Sequence, residues 1–246
     1  MRNEKISVCM ATYNGELYLR KQIDSILCQL VDGDELIIID DGSKDSTVDI
    51  IMSYSNIKIK FHSNIFNCGV NKSFEKAIKL AHNDFIFLSD QDDIWADNRI
   101  SIMLKVLNNR NVEVVFGNSK FIDRNDYEIS YRINPLIEAD STYTLKNLYR
   151  IFLGKGAYFG CALAFKKKFT KYILPFPRYI ESHDLWIAKA SILQKKCFNL
   201  EAIVLYRRIH GRNASVLQRS MFKKIVSRII FLISIIDLKM REYLNN

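Results

Sequence analysis

Short apolar runs alternate with amphipathic segments through the first half of the chain. The apolar runs occupy residues 6–10, 35–39, 57–61, 85–88 and 112–116, and their length and their content of Val, Ile and Phe predict buried β-strands. The segments between them, residues 17–30, 45–54, 71–81 and 96–107, repeat apolar side chains every three or four positions and predict helices. This alternation is typical of an α/β fold with a mostly parallel sheet flanked by helices.

The pattern changes after residue 118. Residues 120–174 predict a small mixed region, and residues 184–193 predict one more helix. No linker, repeat or low-complexity segment interrupts the chain, so we expect one domain over residues 1–215, with a first half at 1–118 and a second at 119–215. Residues 216–246 predict an amphipathic helical tail.

The tail is basic as well as amphipathic. From Arg219 onward six Lys and Arg residues stand against Asp237 and Glu242, which gives 6 − 2 = +4, and an apolar run covers residues 229–236. This run is far shorter than the ~20 residues that span a bilayer, whereas a basic amphipathic helix can lie among lipid headgroups. Two interpretations stay open: peripheral binding to a membrane surface, or packing on the body of the protein or on a second subunit of a homodimer.

Composition narrows the class of protein. Hydrophobic residues make up 48% and charged residues 26% of the chain, as in globular proteins. The first apolar run is too short for the core of a signal peptide, and the five cysteines form no CxxC pair, so we expect a reducing cytoplasm. The net charge of +9 would suit nucleic acid, a membrane surface or an anionic substrate, but no aromatic-plus-basic pattern or zinc-finger spacing supports nucleic acid.

An acidic cluster follows the fourth predicted strand. Asp90, Asp92 and Asp93 stand around Gln91 directly after the apolar run. Three carboxylates this close repel one another unless a cation compensates them, and Mg²⁺ or Mn²⁺ takes one or two carboxylates together with the phosphates of a nucleotide. Capping of the next helix is the alternative, but a cap needs only one acidic residue.

Polar residues also follow the first and second predicted strands. The sequence ATYNG stands at residues 11–15, and Asp40 and Asp41 precede Gly42 and Ser43. Because ligands bind at the carboxyl edge of open parallel sheets, we expect these residues to share one site with the acidic cluster. A carboxylate of the pair can accept a hydrogen bond from the ring N–H of a pyrimidine, and an Asx turn is the structural alternative.

Other nucleotide-binding classes find no support in the sequence. The first strand is not followed by the GxGxxG of dinucleotide-binding oxidoreductases, and the chain has no GxxxxGK[ST] loop of an NTPase. A sugar nucleotidylyltransferase would carry a glycine-rich phosphate loop near its start. A receiver-like signalling module is too short to account for the chain.

Taken as a set, the motifs resemble those of the inverting glycosyltransferases of family 2, which have the GT-A fold. The matching segments are VCMATYNG at 8–15, IIDDGSKDST at 38–47, NCGVNKS at 67–73, LSDQDDIW at 88–95, GCALAF at 160–165, HDLW at 183–186 and LYRRIHGRN at 205–213. The resemblance covers residues 6–215. LSDQDDIW with HDLW resembles the branch that includes rhamnosyltransferases and other hexosyltransferases of bacterial surface polysaccharides.

The resemblance implies roles for the matching positions. Asp184 looks like the general base, and Asp92 and His210 look like metal ligands, with Asp93 assisting. The residues expected to contact the donor nucleotide sugar are Ala11, Tyr13, Asn14, Asp40, Asp41, Asn67, Gly69, Lys72, Asp90, Gln91 and Arg208. Of these, Ala11 and Tyr13 would flank the nucleobase and Asp41 would bind its ring N–H. The segment YRRIH is one residue longer than the family's usual YRxH, which leaves the register of the arginine open.

The resemblance also implies a reaction. We expect a hexose or deoxyhexose to move from a UDP- or dTDP-sugar to a saccharide hydroxyl, with Mn²⁺ or Mg²⁺ and with inversion. Residues 1–118 would bind the nucleotide sugar and residues 119–215 the acceptor. The basic tail favours a lipid-linked acceptor at the inner face of the bacterial cell membrane, in O-antigen or capsule synthesis. The alternative is an inactive homologue that only binds nucleotide sugars, although the presence of both Asp92 and Asp184 favours an enzyme.

Overall fold

The computed structural model describes residues 2–210 and 220–245, so the end of the LYRRIHGRN motif and the start of the predicted tail lie outside the described residues. The described strands are β1 (Ile6–Thr12), β2 (Glu35–Asp40), β3 (Ile59–Ser63), β4 (Phe85–Ser89), β5 (Ile94–Trp95), β6 (Val114–Ile122), β7 (Glu128–Ile129), β8 (Leu163–Lys166) and β9 (Cys197–Arg208). They form one sheet in the order β3-β2-β1-β4-β8-β6-β9-β5, with β7 beside β6.

The described helices cover both faces of this sheet. They are α1 (Leu19–Leu27), α2 (Thr47–Met52), α3 (Val70–Leu80), α4 (Arg99–Asn109), α5 (Thr144–Phe152), α6 (Thr170–Ile173), α7 (His183–Leu193) and α8 (Met221–Asn245). Short 3₁₀ turns lie at Glu138–Asp140, Gly160–Ala162 and Lys167–Phe169. The crossover helices predicted between the first strands correspond to α1 to α4.

The strands β3, β2, β1 and β4 form a parallel block. Successive side chains of a strand enter opposite faces, so Val8 and Met10 join the core beneath α1 and α4, whereas Cys9 joins the core beneath α3. Burial on both faces explains why apolar side chains predominate in β1 and occupy the centre of β2. The carboxyl ends of β1, β2 and β4 consequently meet at one edge.

The sheet becomes mixed beyond β4. The strand β8 pairs antiparallel with β4 on one side and with β6 on the other, so the fifth predicted strand, observed as β6, does not pair with β4. The strand β9 runs parallel to β6, and its end pairs with β5. The α/β architecture is therefore confirmed, with parallel pairing in the first block and mixed pairing beyond it. The expected division at residue 118 falls inside β6.

The C-terminal helix α8 packs through one face on α6 and α7. Ser234 and Leu238 are buried there, and Tyr179 donates a hydrogen bond to Asp237 at 2.6 Å. Phe231 lies edge-on against Phe152 of α5, with 5.4 Å between ring centroids. The amphipathic tail is thus a helix whose inner face packs on the body of the protein. No helix in the described part of the chain combines the length and the apolar character needed to cross a bilayer.

Candidate active site

A cavity of about 1150 Å³ opens at the carboxyl edge of β1, β2 and β4. The loops after these strands wall it, together with the first turn of α7 and the end of β9. The predicted site residues on its wall are Ala11, Tyr13, Asn14, Asp41, Asn67, Gly69, Asp90, Gln91, Asp92, Asp93, Asp184 and His210. Most of the predicted residues therefore share one cavity, at the edge where α/β sheets bind ligands. The predicted donor contacts that do not line it are Asp40, Lys72 and Arg208.

Three hydrogen bonds hold the carboxylate of Asp41 at the cavity. Its Oδ1 accepts from Asn64 Nδ2 at 2.8 Å and from the N–H of Cys68 at 2.9 Å, and its Oδ2 accepts from the N–H of Gly69 at 2.8 Å. Burial alone would raise the pKa of Asp41, but these hydrogen bonds outweigh it and lower the pKa. The φ of Gly69 is 88°, a conformation that favours glycine. A carboxylate oxygen can accept a second bond, so Oδ2 suits a further donor.

Asp40 stabilises the turn after β2 instead of facing the cavity. It is buried and accepts from the Thr12 hydroxyl at 3.0 Å and from the N–H groups of Gly42 at 3.1 Å and Ser43 at 2.9 Å. This is the Asx turn that was the structural alternative for the acidic pair. Asp40 supports the loop, and Asp41 is the member of the pair that reaches the cavity.

Asn14 lies on the cavity wall but is also tied to the loop after β2. Its Oδ1 accepts the N–H of Lys44 at 2.8 Å, and its own N–H donates to Ser43 Oγ at 2.9 Å. Its φ is 48°, in the left-handed region that asparagine tolerates better than most residues. Asn14 therefore joins the loops after β1 and β2.

Asp92 and His210 come together although they lie far apart in sequence. Nε2 of His210 is 2.8 Å from Oδ2 of Asp92, and the imidazole ring packs on Tyr18 with 5.1 Å between ring centroids. Carboxylate oxygen and imidazole nitrogen are both ligands of divalent first-row metal ions in proteins. The two residues that the resemblance assigns to the metal thus fit a divalent cation on the cavity wall.

Asp90 and Asp93 crowd the same loop, which comprises residues 90–93 and is called the acidic loop below. Burial, as the main cause, and repulsion from Asp92, as the second, raise the pKa of Asp90 to about 6 and that of Asp93 to about 8. Ligand atoms of Asp90, Asp93 and Cys161 lie within 4.8 Å of one another. A cation held near this loop would offset the crowded negative charge, which agrees with the metal expectation.

Asp184 occupies the first turn of α7. Its Oδ1 accepts the N–H of Leu185 at 2.7 Å, and its Oδ2 accepts the N–H of Gly160 at 3.3 Å. A side chain at Gly160 would not fit, because a Cβ would lie 2.7 Å from Nε2 of His183 and 3.3 Å from Cβ of Asp184. Each carboxylate oxygen can accept one more hydrogen bond. Asp184 is therefore an anchored acceptor on the cavity wall.

His183 fixes the start of α7. Its ring packs on Phe74 with 4.1 Å between centroids, and its backbone N–H donates to Asn71 Oδ1 at 2.9 Å. Burial lowers the pKa of His183, which keeps the ring neutral near pH 7. The residue orients the turn that carries Asp184.

The two arginines at the end of β9 point to opposite faces, as neighbouring strand residues do. Arg208 is fully buried, and its Nε donates to the carbonyl oxygen of Asp92 at 2.9 Å. Arg207 lies on the cavity wall, where its guanidinium is 3.9 Å from the centre of the Phe159 ring and its charge interacts with Asp184. The structure thus corrects the donor contact expected from Arg208. Arg207 supplies a cation on the cavity wall, and Arg208 fixes the backbone of the acidic loop.

Lys72 is the other expected cation that the structure places elsewhere. It lies on α3 and its Nζ is 2.7 Å from Glu75, which also pairs with Lys79 at 2.6 Å. Its side chain is about half exposed. A solvated lysine in an i,i+3 pair on a helix explains this position without a ligand.

Some residues of the cavity wall did not emerge from the sequence. They include Tyr18, Asp123, Arg124 and Arg207. Of these, only Arg207 could have been found from the sequence, because it stands in the LYRRIHGRN motif, in which the register of the arginine was left open. Asp123 and Arg124 directly follow β6, whose full length the apolar pattern did not show.

The model of the family described as Glycosyl transferase family 2 matches residues 7–173 of the chain. The chain belongs to this family. The matched span includes the loops after β1, β2 and β4, which wall much of the cavity. Asp184, Arg207 and His210 lie beyond the matched span, and in this family 2 protein the structure places them on the same cavity.

Relatives of this family 2 protein are known in bacteria. WfgD of Escherichia coli, named a UDP-Glc:alpha-D-GlcNAc-diphosphoundecaprenol beta-1,3-glucosyltransferase, is 31% identical over 120 residues, which are 49% of this chain and 47% of that protein. An uncharacterized glycosyltransferase of Rickettsia bellii is 28% identical over 220 residues, 85% of this chain and 30% of that protein. The chain thus spans about a third to a half of the length of these relatives.

Solved structures confirm the GT-A fold. Residues 1–349 of Staphylococcus aureus TarS, in complex with UDP-GlcNAc, match with a TM-score of 0.70 and 21% identity over 92% of this chain and 65% of that chain. The mannosyltransferase PcManGT from Pyrobaculum calidifontis, in complex with GDP-Man and Mn²⁺, matches with a TM-score of 0.64 and 15% identity over 98% of this chain and 74% of that chain.

Proposed function

We propose that the chain is a metal-dependent inverting glycosyltransferase that takes a hexose or deoxyhexose from a UDP- or dTDP-sugar. The observation that carries this proposal is that Asp41, the Asp92–His210 pair and Asp184 share one cavity. The fold neighbours TarS and PcManGT, whose structures contain UDP-GlcNAc and GDP-Man with Mn²⁺, support this class of donor and the use of a divalent metal.

The donor would bind along the loops after β1, β2 and β4. Asp41 would accept the ring N–H of a pyrimidine through Oδ2, with Tyr13 and Ala11 beside the base. The diphosphate would then extend toward the acidic loop. Asp92 and His210 would hold the metal, which supplies a Lewis acid to offset the charge of the diphosphate. Arg207 would add a fixed positive charge where the leaving group becomes more negative.

Asp184 would act on the acceptor. Its carboxylate would take the proton from the acceptor hydroxyl while that oxygen bonds to the anomeric carbon, on the face opposite the departing diphosphate. One displacement forms the new C–O bond as the old one breaks. The configuration inverts, and a single base suffices because no covalent intermediate forms.

The acceptor we propose is a lipid-linked saccharide of bacterial surface polysaccharide synthesis, such as O-antigen or capsule. The support is the similarity to WfgD, whose name specifies a diphosphoundecaprenol-linked acceptor. The proposed contacts to the base lie in residues 1–118 and the proposed general base Asp184 lies in residues 119–215. Arg207 and His210 also lie in residues 119–215 but would act on the donor diphosphate and its metal, so this second half would serve donor and acceptor alike.

Donor and metal binding test the proposal directly. We expect UDP- or dTDP-sugars to raise Tm and to bind in calorimetry much more strongly with Mn²⁺ or Mg²⁺ than without, and we expect Asp92→Ala to lose this metal-dependent gain. Asp32→Ala, which changes a fully exposed acid remote from the cavity, is the matched control. A donor response that is equal with and without metal, and unchanged in Asp92→Ala, would contradict the metal role. No response to any donor would overturn the proposal.

We also propose that the outer face of α8 binds an anionic membrane surface, at the inner face of the cell membrane. This face is opposite Ser234 and Leu238, and its exposed apolar side chains are Phe222, Ile225, Ile229, Leu232, Ile236, Met240 and Tyr243. Lys223, Lys224 and Arg228 lie along the helix, and no acidic residue occurs between residues 220 and 236. A second copy of the helix would bring no negative charge to match the basic residues of this segment, whereas anionic lipid headgroups would.

Vesicle binding tests this surface. The double variant Leu232→Glu and Ile236→Glu changes two side chains that are 58% and 64% exposed, so we expect the fold to survive and co-sedimentation with anionic vesicles to fall at least tenfold. The control is Ile57→Glu with Ile65→Glu, which are 86% and 96% exposed elsewhere on the surface. The proposal would be contradicted if the double variant bound vesicles as well as the wild type does. It would also be contradicted if the wild type bound no vesicles and instead formed a homodimer that the double variant dissociates.

A further inference from the structure

The side-chain amide of Gln91 holds the backbone of Tyr13 at two points. Its Oε1 accepts the N–H of Tyr13 at 2.8 Å, and its Nε2 donates to the carbonyl oxygen of Tyr13 at 3.0 Å. The pairing is complementary, so it fixes the orientation of the amide. It joins positions 78 residues apart in the sequence: the loop after β1 and the acidic loop.

The same stretch of the acidic loop is also held from α1. Nε2 of Gln22 donates to Ser89 Oγ at 2.6 Å and to the carbonyl oxygen of Asp90 at 3.1 Å. Gln22 is fully buried, so this side of the acidic loop is anchored to the core. Gln91 therefore bonds Tyr13 to a part of the site that is itself fixed.

A glycine makes room for the pairing. A Cβ built on Gly15 would lie 2.3 Å from Oε1 and 2.6 Å from Cδ of Gln91, which is closer than real side-chain contacts allow. The φ of Gly15 is outside the left-handed region, because the positive-φ glycines are those at positions 33, 42, 69 and 154. An alanine at this position thus strains no backbone angle, and its effect would come from displacing the Gln91 amide.

We infer that Gln91 is a positioning residue for the nucleobase. It stands between Asp90 and Asp92 of the acidic loop, and both polar atoms of its amide bind the backbone of Tyr13. Tyr13 is half exposed on the cavity wall, and Gln91 bonds both its N–H and its carbonyl oxygen, whereas the neighbouring Asn14 is held by the loop after β2. By holding Tyr13, Gln91 keeps the loop after β1, which would bind the base, in a fixed position relative to the acidic loop. This inference rests on the proposed function, since it concerns the site for the nucleotide.

Binding of UMP and dTMP without metal measures the contribution of the loop after β1 separately from that of the metal. In ligand-observed NMR titrations with EDTA, we expect Gln91→Ala to weaken binding of the preferred monophosphate roughly fivefold to thirtyfold, as for two lost hydrogen bonds. Asp32→Asn, at a fully exposed acid that does not line the cavity, should leave this affinity near wild type. With the full donor and Mn²⁺, Gln91→Ala should raise KM by a similar factor and leave kcat within about threefold.

A double-mutant cycle separates positioning from a general loss of structure. Gly15→Ala should weaken UMP or dTMP binding as Gln91→Ala does, and the double variant should be no weaker than Gln91→Ala alone, because the clash disappears with the amide. Full additivity in the cycle, or wild-type affinity of Gln91→Ala, would overturn the inference. If the wild type binds neither monophosphate and no UDP- or dTDP-sugar, the proposed function fails instead.

Discussion

Asp184→Asn is expected to lower kcat ~100-fold or more while the Kd for the donor stays near that of the wild type. Asparagine has the size of aspartate, and its Oδ1 can still accept one of the two backbone hydrogen bonds, from Leu185 or Gly160, that anchor the carboxylate. It cannot take a proton from the acceptor hydroxyl. Initial rates at saturating donor and acceptor, with donor affinity measured by calorimetry on the same preparation, check both halves of the prediction.

The matched control for Asp184→Asn is Glu181→Gln. Glu181 is the acid closest in sequence, but its Oε1 accepts a hydrogen bond from Ser227 of α8 at 2.6 Å and it does not line the cavity. We expect its turnover to stay within about twofold of the wild type. Near-wild-type turnover of Asp184→Asn would place the base elsewhere. A wild type that binds donor but transfers to no acceptor would favour the inactive sugar-nucleotide-binding homologue.

The parallel block of the sheet could be predicted because each of its strands is recognisable from a short stretch of sequence. Strands β1, β2 and β4 are continuous apolar runs bounded by polar turns, and the helices between them repeat at the helical period. The edge at which ligands bind follows from parallel pairing itself. For this reason the acidic loop and Asp41 were placed in one site without any structure.

The second half of the sheet could not be predicted in the same way. Insertion of β8 between β4 and β6 is a pairing between distant segments, and no periodicity records which strands become neighbours. The strand β8 has only four residues and follows a 3₁₀ turn. The long strand β9 pairs with both β6 and β5, and His210, which follows soon after its end, thereby reaches Asp92 of the acidic loop.

Individual roles within the predicted site depend on which way each side chain points. Adjacent acids such as Asp40 and Asp41 have equal chemistry in the sequence, yet one closes a turn and the other reaches the cavity. Lys72 lies one helical turn from an acid that pairs with it, so its charge is satisfied outside the cavity. The same ambiguity affects Arg207 and Arg208, because the face of a strand is fixed only by its partners.

Arg207→Met is expected to reduce kcat/KM by ~100-fold or more with little change in Tm. Methionine retains apolar packing on Phe159 but removes the positive charge beside Asp184 and the acidic loop. Arg208→Met should behave differently, because it removes the hydrogen bonds of this buried side chain to the carbonyl oxygens of Asp92 and Asp123 and lowers stability by about 1–3 kcal/mol. Thermal unfolding and steady-state rates of both variants distinguish the two roles.

The charge-preserving variant Arg207→Lys decides which property of Arg207 matters. If its cationic charge stabilises the departing diphosphate, lysine should recover most of the lost kcat/KM, since a point charge suffices for that purpose. If the planar guanidinium must stack on Phe159 and bind bidentately, lysine should be nearly as impaired as methionine. Full activity of Arg207→Met would contradict both roles and would leave the metal proposed at Asp92 and His210 to offset the charge of the leaving group.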